Sequence, residues 1–537
     1  MEELAQTLES LGRTKQTLEK IAIAARYLRK RDPVDLPLAA LFLSGRLLPL
    51  GSSSNPAVGW RLILDSYADL IPAEWDSVYR RFGDLGDTIQ FLLEEKHFQP
   101  QTPPIRLVEL AEFLRRIAGV TGKKSKRQKL EILQQVWQRM SPLAAKYLVR
   151  LFLRDLRVGL KEGLLESAIG EAFSVPLAAV RRANLLISDI GSVAFLAAED
   201  RLGEASLRLG RPCRFMLAES INKSEEPFQQ ASRSFFAEDK YDGIRAQLHR
   251  GETVQLFSRN LEPIGRHFPE LEEAAVQCPY SCILDGEIVA YQDGIQPFAL
   301  LQQRLHRLDA DKMRQEIPVT FFTFDLLYFE GTSLLDHPLR QRRALLEQLI
   351  LPPSIQRANQ VLVENAEEVE SAFRASRNRG NEGLILKEPT SIYTPGKRGK
   401  QWLKYKKELT TLDCIVVAAE WGHGKRAGYL SDVVFAVRDE QNQLRIIGKA
   451  YSGLTDQEIG QMTIWFLAHK IRDEGWRITV QPEVVIEVAF NQIQKSNRHD
   501  SGFALRFPRI KRIRQDKAPG EIDTLETARR IYETEGL

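Results

Sequence analysis

Glu238-Asp239-Lys240-Tyr241-Asp242-Gly243-Ile244-Arg245 sets a lysine, a glycine and an arginine close together. A lysine is a nucleophile only as the free amine, and burial or neighbouring cations favour that form. Gly243 permits a tight turn beside it, and Arg245 adds a permanent cation. Taken alone, Lys-x-Asp-Gly also suits a plain surface turn. The downstream sequence changes that reading. Ser258-Arg259-Asn260 lies 18 residues past Lys240. Leu284-Asp285-Gly286-Glu287 reads as a carboxylate at a strand–turn junction, and Phe322-Thr323-Phe324-Asp325 as an aromatic platform. Asn381-Glu382-Gly383 through Lys387 pairs a carboxylate and a lysine on a strand. Trp402-Leu403-Lys404-Tyr405-Lys406 puts two ammoniums on one strand face, because side chains alternate with period two. Arg506 through Lys517 closes the series with Arg514, Asp516 and Lys517.

Around these motifs the chain changes texture. Residues 1 to about 205 carry apolar residues at three-to-four spacing, as in Leu107, Leu110, Leu114 and Ile117, which predicts helices. Lys146 to Arg157 reads as an amphipathic helix with Arg150, Arg154 and Arg157 on a basic face. Short strand-like runs begin past Arg211-Pro212 and continue to about Lys407. The last block has strands at 412–419, 433–437 and 484–488, with a helical stretch from Asp456 to Ile471, a pattern suited to a small barrel.

A chain of 537 residues is too long for one core. The net charge of +4 is small, but basic residues cluster at 123–129, at 397–407 and at 506–517, which would suit phosphate contact. No stretch of about 20 apolar residues predicts a membrane span, and the acidic start Met1-Glu2-Glu3 does not read as a secretory signal. Cytoplasmic residence is the default expectation, with nucleoid association if the source is prokaryotic. The four cysteines fit no zinc set and read as reduced thiols. His423 and His499 have no second ligand set beside them and read as surface or nucleic-acid contacts.

The ordered motifs closely resemble those of ATP-dependent DNA ligases, and the resemblance covers essentially the whole chain. Lys-x-Asp-Gly-x-Arg alone is shared with RNA ligases and capping enzymes. The ending Arg514-Gln515-Asp516-Lys517 and the run Thr394-Pro395-Gly396-Lys397-Arg398 are more particular to DNA ligases. The helical third, with Arg154-Asp155-Leu156-Arg157-Val158-Gly159, resembles the DNA-binding domain of the larger ATP ligases. No motif position departs from the family pattern.

The resemblance implies a multidomain fold: an all-α DNA-binding domain at 1–205, an α+β nucleotidyltransferase domain at 206–408, and an OB-fold β-barrel at 409–537. It implies that Lys240 takes AMP from ATP, that AMP passes to a DNA 5′-phosphate, and that a 3′-hydroxyl then seals the nick. Glu238 and Phe324 match the residues that read and stack on adenine. Glu287 matches a carboxylate near the ribose and metal, and Glu382 the second metal-associated carboxylate, for Mg²⁺ or alternatively Mn²⁺. Arg245 and Arg259 match residues near the ribose and nick phosphate, and Lys404 and Lys406 the lysines that neutralise the α-phosphate. Lys387 is a further phosphate contact. Arg514, Asp516 and Lys517 would serve the charging step. Phe298 and Phe507 match aromatics that wedge into DNA beside the nick. Arg154, Lys123 and Lys124 are expected to meet DNA phosphates. The expected partner is nicked duplex DNA, encircled by a monomer, without a membrane; protein partners are not legible. A non-catalytic DNA-end-binding relative would have lost Lys240 or the acidic pair, and an NAD-dependent ligase would carry zinc-finger cysteines.

Overall fold

Leu107, Leu110, Leu114 and Ile117 all fall in the helix Leu107–Gly119, and all four are buried. The same spacing recurs through the first third of this computed structural model, whose described residues there form twelve α-helices, from Glu2–Arg13 to Ile190–Ala198, around an apolar core. The structure describes residues 1–537 except 50–55, 57, 73–74, 121, 123, 230–233, 307–309, 407–409, 423–425, 427 and 536–537. Lys123 and His423 therefore lie outside the described residues. Among the described residues no helix is long and apolar enough to cross a membrane, and all four cysteines are buried and unbridged.

The expected basic helix over 146–157 is corrected. The helix is Pro142–Phe152, and the chain leaves it with Arg154 and Arg157 both in the left-handed region. Arg150 faces inward and is ion-paired to Asp84 and Asp87, at 3.1 and 2.7 Å. Arg157 is held by Asp155 and Asp84. The apolar residues around Arg150 needed burial, and two carboxylates on a neighbouring helix end met the guanidinium there.

The middle block holds two sheets. In chain order the strands are β1 (Leu217–Ile221), β2 (Phe235–Lys240), β3 (Ile244–Arg250), β4 (Val254–Ser258), β5 (Cys282–Ala290), β6 (Val319–Phe329), β7 (Thr332–Ser333), β8 (Ile355–Arg357), β9 (Gln360–Val363), β10 (Gly383–Lys387) and β11 (Arg398–Lys406). One sheet runs β1-β11-β10-β2-β9, and the other β4-β3-β5-β6-β7 with β8 on β6. A shared apolar cluster ties Leu186 of the helical third to Met216, Tyr393 and Trp402. The chain divides into two compact units, Met1–Lys406 and Lys407–Leu537.

The second unit continues with β12 (Thr410–Trp421), β13 (Leu430–Arg438), β14 (Leu444–Ala450), β15 (Lys470–Asp473), β16 (Arg477–Val480), β17 (Val485–Phe490), β18 (Gln492–Lys495), β19 (Phe503–Arg506) and β20 (Arg509–Ile513). The long β12 pairs with β13 along one edge, and with β17 and then β16 along the other. The strands enclose an apolar core, as expected of a small barrel, with a smaller cluster of Ile415, Ala436, Val485 and Ile522 beside it. The barrel's helix is shorter than the sequence suggests. It starts at a Thr455–Glu458 capping box and ends at Ala468, so Ile471 belongs to β15.

The expected strand–turn junction at Leu284–Glu287 is a second correction: β5 runs straight through it. Gly286 serves close packing. A Cβ there would lie 2.5 Å from both the Phe321 ring and the Phe322 carbonyl oxygen. Gly286→Ala is thus expected to destabilise the first unit by about 1–3 kcal/mol through overpacking. Urea denaturation checks this, and an unchanged midpoint would show that the sheet has room to spare.

Candidate functional site

Sheet register gathers the expected residues on one face. Antiparallel pairing sets Lys240 opposite Gly383, and Gly383 opposite Lys406. Two residues along, Glu238 faces Ile385, which faces Lys404; two further, Phe236 faces Lys387, which faces Trp402. Directly paired residues share a face, and so do every-other residues on one strand. Lys240, Glu238, Lys404, Lys406, Lys387 and Trp402 therefore project together. Gly383 sits at φ +153°, and a Cβ there would meet the Tyr405 carbonyl oxygen at 2.3 Å. Only glycine lets β10 lie this close to β11 at the position that pairs with both Lys240 and Lys406. The Lys240 carbonyl accepts from the Glu382 N–H at 2.9 Å, and the Lys240 ammonium is ion-paired with the Glu382 carboxylate.

Glu238 is buried. Its carboxylate accepts from the Gln360 amide at 2.8 Å and is ion-paired with the Lys387 ammonium at 2.6 Å. Lys387 is equally buried, lying 4.2 Å from the ring centroids of both Phe324 and Trp402. Burial lowers its pKa, while Glu238 works against that. Lys404 is also lowered, first by burial and then by Arg398, Lys406, Lys240 and Arg259.

The second sheet supplies the opposite wall. In its register Arg245 faces Glu287, which faces Phe322. Arg245 donates to both oxygens of Asp285, at 3.2 and 2.8 Å, and to the Met216 carbonyl at 2.8 Å. The Tyr393 hydroxyl donates to the same Asp285 at 2.7 Å. Desolvation pushes the Glu287 carboxyl up to about 8, opposed by Lys240 and Arg245. Phe324 occupies a β-bulge: Asp285 pairs with Asp325 and Gly286 with Thr323, leaving Phe324 as the extra residue. Bulges re-aim side chains in this way.

Asp285, Tyr393 and Gln360 are site-building residues to which the sequence reading gave no role. Asp285 stood inside a recognised motif, and Tyr393 directly before the Thr394-Pro395-Gly396 run. Nothing in the sequence marks Gln360.

Other expected residues of the first unit stand outside these strand pairings. Arg259 is exposed beside a cleft that Arg154 also lines. Phe298 begins a helix and packs partly against the core of the β3–β6 sheet. Lys124 is exposed, while its neighbours Lys126 and Arg127 are ion-paired with Asp65 and Glu131. In the second unit, Arg514 binds Asp413 with 2.9 Å contacts and Asp516 at 2.7 Å, and Lys517 binds Asp413 at 2.7 Å. Phe507 is 55% exposed at φ +50°, with the Arg506 guanidinium 4.9 Å from its ring centroid.

Three family descriptions match in chain order: DNA ligase N terminus on residues 1–170, ATP dependent DNA ligase domain on 215–406, and ATP dependent DNA ligase C terminal region on 426–517. The chain is 43% identical to a protein named probable DNA ligase from Koribacter versatilis (strain Ellin345), over 100% of this chain and 97% of that one. It is 37% identical to a DNA ligase of Methanothermobacter thermautotrophicus, over 97% of each. The solved structure Pmar-Lig_PreS3 is similar in fold, with a TM-score of 0.58 at 17% identity, over 95% of this chain and 99% of that one.

The buried Glu238–Lys387 pair gives a test of how the site is held. Lys387→Met strands a carboxylate in the interior and is expected to cost about 3–5 kcal/mol. Adding Glu238→Gln removes the stranded charge and should recover most of it. Equal denaturation midpoints for the single and double variants would count against the pairing.

Proposed function

The chain belongs to the ATP-dependent DNA ligase family, and we propose that Lys240 is the nucleophile that carries AMP in its ATP-driven sealing of DNA nicks. The observation that carries this reading is the sheet face on which Lys240 stands with Glu238, Lys387, Lys404 and Lys406, closed by Glu382. Phosphoryl transfer is chiefly positioning and charge neutralisation, and these ammoniums supply both. The Lys240–Glu382 ion pair must open before the amine can attack the α-phosphate of ATP. A nitrogen–phosphorus bond then forms as the bond to pyrophosphate breaks, and the lysine gives up its proton. The AMP passes to the 5′-phosphate of the nick, and the 3′-hydroxyl displaces it.

Adenine stacks on Phe324 and is read by Glu238. Arg245 lies near the ribose, and its Asp285–Tyr393 support fixes the guanidinium before any nucleotide arrives. Among the described residues no group of three or more acidic, cysteine or histidine side chains could hold a metal. Two carboxylates and phosphate oxygens suffice for Mg²⁺, which keeps much of its water. Glu382 touches Lys240, and Glu287 feels its charge, so both fit that role. When bound, the cation would neutralise phosphate charge.

The same reading covers the three domains at 1–205, 206–408 and 409–537, a monomer, nicked duplex DNA as partner and cytoplasmic residence. Arg154 and Lys124 contact phosphates, Phe507 and Phe298 meet the duplex beside the nick, and Arg514, Asp516 and Lys517 serve the charging step.

Two tests follow. Labelled ATP should mark the wild type covalently and should fail to mark Lys240→Ala. Lys240→Arg should fail as well, because a guanidinium does not deprotonate. At a pre-adenylylated nick, Lys240→Ala should keep some sealing. Normal labelling of either variant would sink the nucleophile assignment. Asp516→Ala should lower self-labelling more than sealing at a pre-adenylylated nick. Equal losses in the two steps would remove Asp516 from the charging role.

A further inference from the structure

Two helices of the first unit end alike, and both ends open on one cleft. The helix Leu36–Leu43 closes at Gly45, φ +82°, with the Gly45 N–H on the Phe42 carbonyl at 3.0 Å and the Arg46 N–H on that of Leu41 at 3.3 Å. The helix Pro142–Phe152 closes at Arg154, φ +56°, with the Arg154 N–H on the Leu151 carbonyl at 3.1 Å and the Asp155 N–H on that of Arg150 at 2.9 Å. Such left-handed closures satisfy the last carbonyls and fix the direction of the residue that follows. Here they bring Arg46 and Arg154 to the lining of a cavity of about 700 Å³, with Arg214, Arg259 and Glu262 on its other side.

The lining holds four guanidiniums and one carboxylate. Arg154 donates to Glu262 at 3.2 Å, and Arg214 is ion-paired with Glu162. Arg46 is half-buried, and burial lowers its pKa, with Glu162 and Glu262 opposing. Among the described residues, Arg46 and Arg259 have neither a hydrogen bond nor an ion pair from their side chains. A guanidinium withdrawn from water calls for an anion, and its planar fork matches phosphate. Arg259 also acts on Lys404, which lies beside Lys240, so the cleft adjoins the nucleotide face.

We propose that this cleft is a subsite for a phosphodiester of the DNA backbone, held by Arg46 and Arg259, with Glu262 occupying Arg154 until DNA displaces it. The inference rests on the DNA ligase reading and adds Arg46 as a contact and Glu262 as a competitor of the phosphate. On binding, Arg154 exchanges a carboxylate for a phosphate, and Arg46 gains its first anionic partner.

The test measures the affinity of the full chain for nicked duplex across a salt series. R46M should bind about tenfold more weakly at moderate salt. Its log–log salt slope should be shallower by about 0.9 for the lost phosphate contact. R46K should keep the wild-type slope. E262Q should bind more tightly, by up to about fivefold. Thermal melting checks that each variant is folded; if R46M is not, the R46K slope and the E262Q affinity decide. Pyrophosphate, the other phosphate species that the reaction provides, is added as competitor. Wild-type affinity and slope in R46M, weaker binding by E262Q, or an R46M effect confined to pyrophosphate competition would overturn the proposal. Covalent labelling of the wild type by ATP reports on the ligase reading separately.

Discussion

Four ammoniums share one face of the β1-β11-β10-β2-β9 sheet, and the rest of the site is arranged around their mutual repulsion. Lys240, Lys387, Lys404 and Lys406 come from three neighbouring strands in a register that sets them in adjacent rows. Two carboxylates make this tolerable. Glu238 binds Lys387 in the interior, where neither charge would survive alone, and Glu382 binds Lys240 at the edge. The face is thus charged in advance for a polyphosphate, without the reorganisation that water would need.

Much of this was legible in the sequence, because strand alternation is a strong constraint. Lys404 and Lys406 had to share a face once β11 was a strand, and the register of β10 made Glu238 and Lys240 share it too. What escaped was what depends on the third dimension. Asp285 looked like a turn residue because Asp-Gly usually marks one. Packing of Phe321 against Gly286 overrode that local signal and kept β5 straight. Arg150 looked solvated from its helical spacing, yet Asp84 and Asp87 bury it. Gln360 carries no signal at all; only its place on β9 opposite Glu238 reveals it.

The motif residues of the second unit answer to a different logic. Arg514 and Lys517 converge on Asp413 at the start of β12, and Asp516 braces Arg514 from outside. A cluster so well paired has little charge left to offer until Asp413 is released or bypassed. Sequence spacing located these groups, but their mutual neutralisation depends on β12 and the segment after β20 lying together.

The bulge at Phe324 has a bearing on how this chain tolerates change. Strand β6 carries two surplus residues against β5, Phe324 and Leu327, and each puts the pairing out of step by one. Deleting a residue beside Phe324 would remove one of these shifts and make the ladder more regular there. It would also swing the aromatic ring away from Lys387. The irregular spacing of β6 is therefore what sets the ring against Lys387, and a fully regular ladder would lose that contact.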